Sequence, residues 1–367
     1  SNSSSACAFA WGATMAEIPL LKNDALAGTG GVAVQLGVLH ENPDSAPAGE
    51  SRVSVTPDVA KMLIGDGYVV NIEPGAGAAA SFSDGAYEKV GCKVVPRQEL
   101  MRKSDIIFAI NAPEQEFGQL GGKILISWVG RLTPAGSAVV TKATEAKITL
   151  LDVTHAPRIS IAQKLDVLSS QAKVAGHRAV MEAAHNFGRF HSGEMTASGK
   201  FPPSQTFVLG VGVAGLAAIG TSRALGSVVK AWDVRDVSDQ VKSMGASWVT
   251  VDFKEDASGA GGYAKESSKE FQAAQQATFK KHLQTVDIAI TTAAIPGKPS
   301  PVLITEDMVK VMKPGSVIVD LAAVGGGNCT MTKKDEVYTT ENGVTIIGYT
   351  DLPGRMACQS SSMYRRT

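Results

Sequence analysis

Short apolar runs alternate with segments of helical spacing twice along the chain. From Val32 the order is VAVQLGVL, the helix-like VTPDVAKMLIGDG with Pro57 near its start, YVVNIEPGAG, DGAYEKVGC, KVV, DIIFAI and KILISWV. A second series opens at Thr206 with TFVLG, a helix over about 214–225, VVKAWD, a helix near 238–244, WVTVDF, IAITTA, VIVDLA and VTIIGY. Apolar strand-length runs separated by helices predict parallel sheets covered on both faces. Between the two series, Ser160 to His191 holds no proline and only Gly176 and Gly188, which predicts one long helix or two in tandem. The expected fold class is α/β, with two doubly wound parallel-sheet domains joined by long helices.

The expected boundaries follow. Residues 1–30 are a polar, patternless start, disordered or left over from expression, and 31–160 form the first α/β domain. Connecting helices take 161–204, a nucleotide-binding domain 205–348, and the segment 349–367 returns to the first domain. The Gly-rich KEDASGAGGYAKESSKE, Lys254 to Glu270, is expected as a mobile loop and the start of a helix.

Composition narrows the function classes. A chain of 367 residues that is 44% hydrophobic and 6% aromatic has material for two cores. Lys+Arg and Asp+Glu are equal at 35 each, so there is no electrostatic footprint for nucleic acid or an anionic membrane surface. The cysteines at 7, 92, 329 and 358 form no CxxC pair and have no histidine cluster, which argues against a disulfide framework or a zinc site; no metal is expected. The longest apolar run, Phe207 to Gly220, is too short and glycine-rich to cross a bilayer, so a soluble chain is expected.

Gly210-Val-Gly212-Val213-Ala-Gly215 follows a predicted strand and opens a predicted helix, the context a GxGxxG pattern needs. The first glycine permits the tight turn, the second lets backbone approach a pyrophosphate, and the third brings helix close to strand. After the next strand comes Asp233, placed to accept from the adenosine ribose hydroxyls and to disfavour a 2'-phosphate, with Arg235 two residues on weakening that preference. The second domain therefore reads as Rossmann-like and NAD(H)-binding. The bland alternative is a glycine-rich helix packed tightly on a strand.

At the junction stands PRISIAQKLDVLSSQ, residues 157–171. Ser160 and Gln163 have capping-box spacing and could simply close free amides at a helix start. Gln163, Asp166 and Ser169 recur every three residues, so they share one helix face, with Arg158 just before it. That strip is either a cleft wall or an ordinary solvated face. Among six histidines, His155 is the one near enough to carry a proton there.

Several of these stretches, in this order, resemble the NAD(H)-binding component, domain I, of proton-translocating nicotinamide nucleotide transhydrogenase. They are SRVSVTPD, EPGAGAAASFSDGAYEKVG, PRISIAQKLDVLSSQ, GVGVAG with Asp233, SGAGGYAKE, TTAAIPGKP, MKPGSVIVDLA with GGNC, and GVTIIGYTDLP. The likeness runs from about Val32 almost to the C-terminus. It implies that Arg158, Ile159, Ser160, Gln163, Asp166 and Ser169 surround the nicotinamide and its ribose. It places Gly210, Gly212, Val213 and Gly215 at the pyrophosphate, and Asp233, Val234 and Arg235 at the adenosine end. Gly262, Tyr263 and Gln275 fall to a mobile loop and the following helix, and Ala294 to the wall behind the nucleotide, where the family usually has leucine. The resemblance also implies NADP(H) on a partner domain, a membrane-spanning domain moving protons, and a homodimer. It places the assembly on the mitochondrial matrix or bacterial cytoplasmic side of a membrane, or on an equivalent organelle membrane. The chain departs from the family at Ile161 (usually arginine), Lys173 (asparagine), His177 (tyrosine) and Val324 (an acid).

Alanine dehydrogenase shares the implied fold and is the competing reading. Its lysine after the DII-type strand and its histidine in the strand matching KILISWVG are replaced here by Asn111 and Trp128, although a carboxylate-binding arginine has its match in Arg52. A non-catalytic NAD(H)-binding module is the third reading. Oxidising an amino acid needs a base, whereas hydride transfer between two nicotinamide rings needs none, and the junction offers orienting groups without an obvious base.

Overall fold

The computed structural model describes residues 33–41, 50–156, 160–252, 268–294 and 297–364, without the side chains of Ser160 and Ile161. Among them, the first series forms β1 (Gln35–Val38), α1 (Pro57–Gly65), β2 (Val69–Ile72), α2 (Asp84–Lys89), β3 (Lys93–Val94) and α3 (Arg97–Lys103). It continues with β4 (Ile106–Phe108), β5 (Ile124–Ser127), α4 (Pro134–Glu145) and β6 (Thr149–Asp152). These strands pair in parallel in the order β3-β2-β1-β4-β5-β6. Leu36, Val38, Val70 and Ile72 are buried on one face with Tyr87, while Ile107, Leu125, Leu100 and Met101 are buried on the other.

A short 3-10 turn, Ser160–Leu165, then leads into α5 (Val167–Asn186). The chain continues through a hairpin of β7 (Glu194–Thr196) and β8 (Gly199–Phe201). The second series is β9 (Gln205–Leu209), α6 (Val213–Ala224), β10 (Val228–Trp232), α7 (Ser238–Ser243), β11 (Ser247–Trp248) and α8 (Lys269–Leu283). It ends with β12 (Ile288–Thr291), α9 (Glu306–Val309), β13 (Val317–Asp320), β14 (Val337–Thr339), β15 (Thr345–Ile347) and α10 (Ala357–Tyr364). The sheet order is β11-β10-β9-β12-β13-β15-β14. The order reverses between β9 and β12, which makes their C-terminal ends the topological switch point where ligands bind in open α/β sheets.

The expected α/β class, with Rossmann-like doubly wound sheets, is what the chain adopts. Details differ. The 161–204 region holds the β7–β8 hairpin as well as helix, and β14 pairs antiparallel to β15, so the second sheet is not wholly parallel. Of WVTVDF, only Trp248 falls in a strand among the described residues, as the second residue of the short β11. The α-helix begins at Val167 rather than Ser160 because Asp166, not Ser160, caps it, its carboxylate accepting from Ser169 N at 2.9 Å.

Helix α5 ties the halves together. Ala179, Val180 and Ala183 enter the core of the second sheet. Gly176 lies so close to α6 that a Cβ there would sit 2.0 Å from Ala214 O. Nearer its start, Gln171 accepts from Arg52 Nη1 at 2.9 Å and donates to Ser360 O at 3.1 Å. Helix α10 returns beside α5, where Ser361 Oγ accepts from Val53 N and Ala357 joins the first core. No described helix is long and apolar enough to cross a membrane.

Candidate functional site

The turn between β9 and α6 displays the three glycine roles separately. Gly210 has φ +99°, a left-handed conformation that disfavours a side chain, and its carbonyl accepts from Thr292 Oγ1 at 3.0 Å. Gly215 packs against this turn so closely that a Cβ would lie 2.0 Å from Gly210 O. At Gly212 a Cβ would meet nothing within 4 Å, so that face of the turn is open to a ligand. Gly212 caps the helix, and its carbonyl accepts the first helical bond from Leu216 N. The amides of Val213, Ala214 and Gly215 therefore have no partner within the helix, and they offer donors backed by the helix dipole to an anion.

Asp233 follows β10 directly and is 9% exposed. Its Oδ2 accepts from Val211 N at 2.7 Å, which ties it to the glycine turn. Its Oδ1 accepts from Arg235 N at 2.9 Å and Arg235 Nε at 3.1 Å. The Arg235 fork offsets the charge on Asp233, so the carboxylate discriminates less against a 2'-phosphate than it would alone. Val234 packs partly buried beside the second core. These features fit the adenosine and pyrophosphate of a dinucleotide: a glycine turn with an open approach, helix-start donors and a carboxylate at the neighbouring strand end.

At the junction, Ser169 Oγ donates to Asp166 Oδ2 at 2.6 Å, so the pair forms one polar unit at the start of α5. Asp166 lies ten residues before Gly176, about 15 Å along the helix axis from the contact with α6. Gln163 is exposed on the preceding 3-10 turn, where its backbone carbonyl accepts from Asp166 N at 3.3 Å. The shared helix face expected for Gln163, Asp166 and Ser169 is replaced by a turn followed by a cap. Arg158, Ile159, Gly262 and Tyr263 lie outside the described residues, as does the Ser160 side chain. Gln275 is buried on α8, whose cap is Ser268, and Ala294 is exposed just beyond β12.

His155 closes a half-buried 3-10 turn, Val153–His155. His177 bonds Thr221 Oγ1 through Nδ1 at 3.0 Å, joining α5 to α6.

The C-terminal ends of the first sheet's strands carry a polar cluster in which Asn111, singled out from the sequence, meets Glu41, which was not. Glu41 is buried, and its carboxylate accepts from Ile110 N at 2.6 Å, Asn111 N at 3.0 Å and Asn111 Nδ2 at 3.2 Å. Arg52, 9% exposed, donates through Nε and Nη2 to both oxygens of Glu50 at 2.9 and 2.7 Å, and through Nη1 to Gln171. Trp128 packs with Ile110, Val167 and Tyr364. Asn111 and the guanidinium fork of Arg52 are thus engaged by the chain's own carboxylates.

Burial pushes the Glu41 carboxyl up to about 7, against the lowering effect of the Ile110 and Asn111 amides. Its ordinary value is 4.5, so the folded state holds the proton more tightly than the unfolded state does. This contribution is fully present below pH 4.5 and is lost as pH rises through about 7. Glu41→Gln will remove that part of the pH dependence, about 3 kcal/mol across the window. Urea unfolding midpoints of both proteins from pH 5 to 8 will show it; parallel pH profiles would contradict it.

Together, the two doubly wound sheets and the glycine turn at the switch point define a two-domain α/β protein with a dinucleotide-type site. Residues 37–175 match alanine dehydrogenase/PNT, N-terminal domain, and residues 179–367 match alanine dehydrogenase/PNT, C-terminal domain. The chain belongs to the alanine dehydrogenase/PNT family. It is 49% identical to NAD(P) transhydrogenase subunit alpha of Haemophilus influenzae, over 86% of this chain and 62% of that protein. The chain therefore spans about three fifths of that relative's length. Its identity to the first part of NAD(P) transhydrogenase subunit alpha of Rhodospirillum rubrum is 42%, over 88% of this chain and 86% of that one. A crystal structure of transhydrogenase from Sinorhizobium meliloti superposes with a TM-score of 0.81 at 35% identity, covering 90% of each chain. Alanine dehydrogenases are more distant, at 28% identity for alanine dehydrogenase 1 of Staphylococcus aureus over 83% of this chain and 79% of that one.

Proposed function

We propose that this chain is the NAD(H)-binding component of a proton-translocating transhydrogenase. In this reading it passes hydride from NADH directly to NADP+ held on a separate domain. The observation that carries the choice is the engagement of the groups an amino-acid dehydrogenase would need. Arg52 is consumed by Glu50, the position matching a substrate-binding lysine is Asn111 bonded to Glu41, and the position matching a histidine is Trp128 in an apolar cluster. A substrate carboxylate would have to displace Glu50 from a buried bidentate pair, which costs several kcal/mol.

The residues that remain orient rather than move protons. Gly212 and the first amides of α6 hold the pyrophosphate, and Asp233 holds the adenosine ribose. Gln163 and the Asp166–Ser169 pair face the second ribose and the nicotinamide. The bound nucleotide supplies a hydride at ring carbon C4, and the reaction NADH + NADP+ → NAD+ + NADPH balances without a proton. The chain's task is then to keep two rings about 3 to 3.5 Å apart and to exclude water. Arg158, Ile159, Ser160, Val213, Val234, Gly262, Tyr263, Gln275 and Ala294 are proposed as the further cofactor contacts. The assembly is proposed to be of the Re/Si-specific type and to act as a homodimer. A membrane-spanning domain would couple transfer to proton movement on the matrix or bacterial cytoplasmic side.

The test is to mix the chain with an NADP-binding partner domain and follow NADP+ reduction by NADH. Turnover requiring both proteins, with no NADH formed from alanine and NAD+, is the expected result. Steady alanine oxidation by the chain alone would overturn the proposal, and so would an absence of transfer with a competent partner.

A further inference from the structure

The GGGNC stretch, Gly325 to Cys329, makes none of the contacts proposed above, yet it folds around a buried carboxylate. Asp320, the last residue of β13, is 0% exposed. Its Oδ1 accepts from Thr291 Oγ1 at 2.9 Å and Ala322 N at 3.0 Å. Its Oδ2 accepts from Asn328 N at 2.7 Å, Cys329 N at 3.0 Å and Thr332 Oγ1 at 2.6 Å. Five donors satisfy this carboxylate, and no ion pair to it is formed among the described residues. The turn closes tightly: Gly327 has φ +88°, and a Cβ there would lie 2.7 Å from Asp320 Oδ2.

This turn presents the side chain of Asn328, itself fully buried. Asn328 Oδ1 accepts from Ala293 N at 3.0 Å, and Nδ2 donates to Ala293 O and Pro301 O, both at 2.8 Å. Both backbone polar groups of Ala293 are therefore held by one amide. The preceding residue, Thr292, donates through its amide to Leu209 O at 2.8 Å and through its hydroxyl to Gly210 O at 3.0 Å. The chain leaving β12 is thus pinned to the glycine turn on one side and to Asn328 on the other. In a doubly wound sheet, the dinucleotide crosses the switch point beyond its pyrophosphate and lies over the far strands, here β12 and β13. Ala293 and Ala294 stand there, with the hydrogen-bonding groups of Ala293 already occupied.

We propose that Asn328, oriented by the buried Asp320, is a positioning residue for the nicotinamide half of the bound dinucleotide. It fixes Ala293 and Ala294 as the apolar stop against which the ring is seated. The adenosine half, held by Asp233 and the start of α6, does not depend on it. The inference rests on the dinucleotide reading of the second domain.

Two ligands separate the halves: NADH, and ADP-ribose, which has the same adenosine, pyrophosphate and second ribose but no nicotinamide. Calorimetry on the full chain will compare wild type with Asn328→Ala and Asn328→Asp. The aspartate keeps an acceptor facing Ala293 N and loses both donations. Both variants are expected to bind ADP-ribose within about 2-fold of wild type and NADH about 10-fold or more weakly. The fluorescence of bound NADH is expected to move toward that of free NADH. Equal losses for both ligands would make Asn328 a support of the fold alone, and unchanged NADH binding would equally overturn the proposal. Should Asn328→Ala not fold, Asn328→Asp and the wild-type Ala293 amide still decide the matter, because rapid hydrogen exchange at Ala293 would show that the clamp does not hold. Wild-type protein that bound neither ligand would instead remove the dinucleotide reading itself, and this inference with it.

Discussion

Gly212→Val will fold as stably as the unaltered chain, within about 0.5 kcal/mol, and bind NADH at least about 100-fold more weakly. The two halves of this expectation come from different observations. A Cβ at Gly212 meets no atom within 4 Å, and the residue's φ of −77° suits any side chain, so the fold has no reason to object. The same open space is the approach to the unpaired amides of α6, and a branched side chain there stands where a pyrophosphate must come closest. The same change at Gly215 would confuse the two effects, since a Cβ there lies 2.0 Å from Gly210 O and would break the turn. Thermal unfolding and calorimetry with NADH check the pair. Undiminished NADH binding by folded Gly212→Val would mean that the glycine turn holds no pyrophosphate.

Asp166→Asn will slow hydride transfer by about 100-fold while leaving the NADH Kd within about 3-fold. The substitution is chosen because Asp166 also caps α5, and asparagine keeps an oxygen for Ser169 N, so the cap costs at most a few tenths of a kcal/mol. What disappears is the charge at the proposed nicotinamide end and the strong acceptor for Ser169 Oγ. The adenosine contacts proposed for Asp233 and the helix start are untouched, so ground-state binding is expected to survive. Asp233→Ala should show the reverse, with affinity lost and transfer at saturating NADH largely kept. Stopped-flow transfer rates set beside Kd values measure the split. Equal losses in rate and affinity for Asp166→Asn would show that it serves binding and not orientation.

The parts of this molecule that can be read from sequence are those whose reasons are local. The glycine turn lies within six residues, and the closest packing it requires, Gly215 against Gly210, is between two of them. Asp233 is legible because it ends the next strand. The start of α5 falls later than its sequence suggests because Ser160 and Asp166 both have capping chemistry, and only the structure shows which one the backbone uses. The β7–β8 hairpin gives no signal, since its largely exposed residues have no core to alternate against. The polar clusters are invisible for a different reason: Glu41 meets Asn111 across 70 residues, and Asn328 meets Ala293 across 35. Both rely on strand ends brought together by the sheet, which spacing along the chain does not reveal. GGNC stands out through family resemblance, and its job as a clamp emerges only with Asp320 in place.

Whether hydride passes from ring to ring with no proton exchanged is decided by isotope tracing. NADH carrying deuterium at the transferred C4 position would be incubated in ordinary water with this chain, NADP+ and the NADP-binding partner. All of the transferred deuterium is expected in NADPH, one atom per turnover, and none in the water. NADPH carrying hydrogen from solvent, or deuterium released into it, would contradict direct transfer and require a proton-handling group at this site.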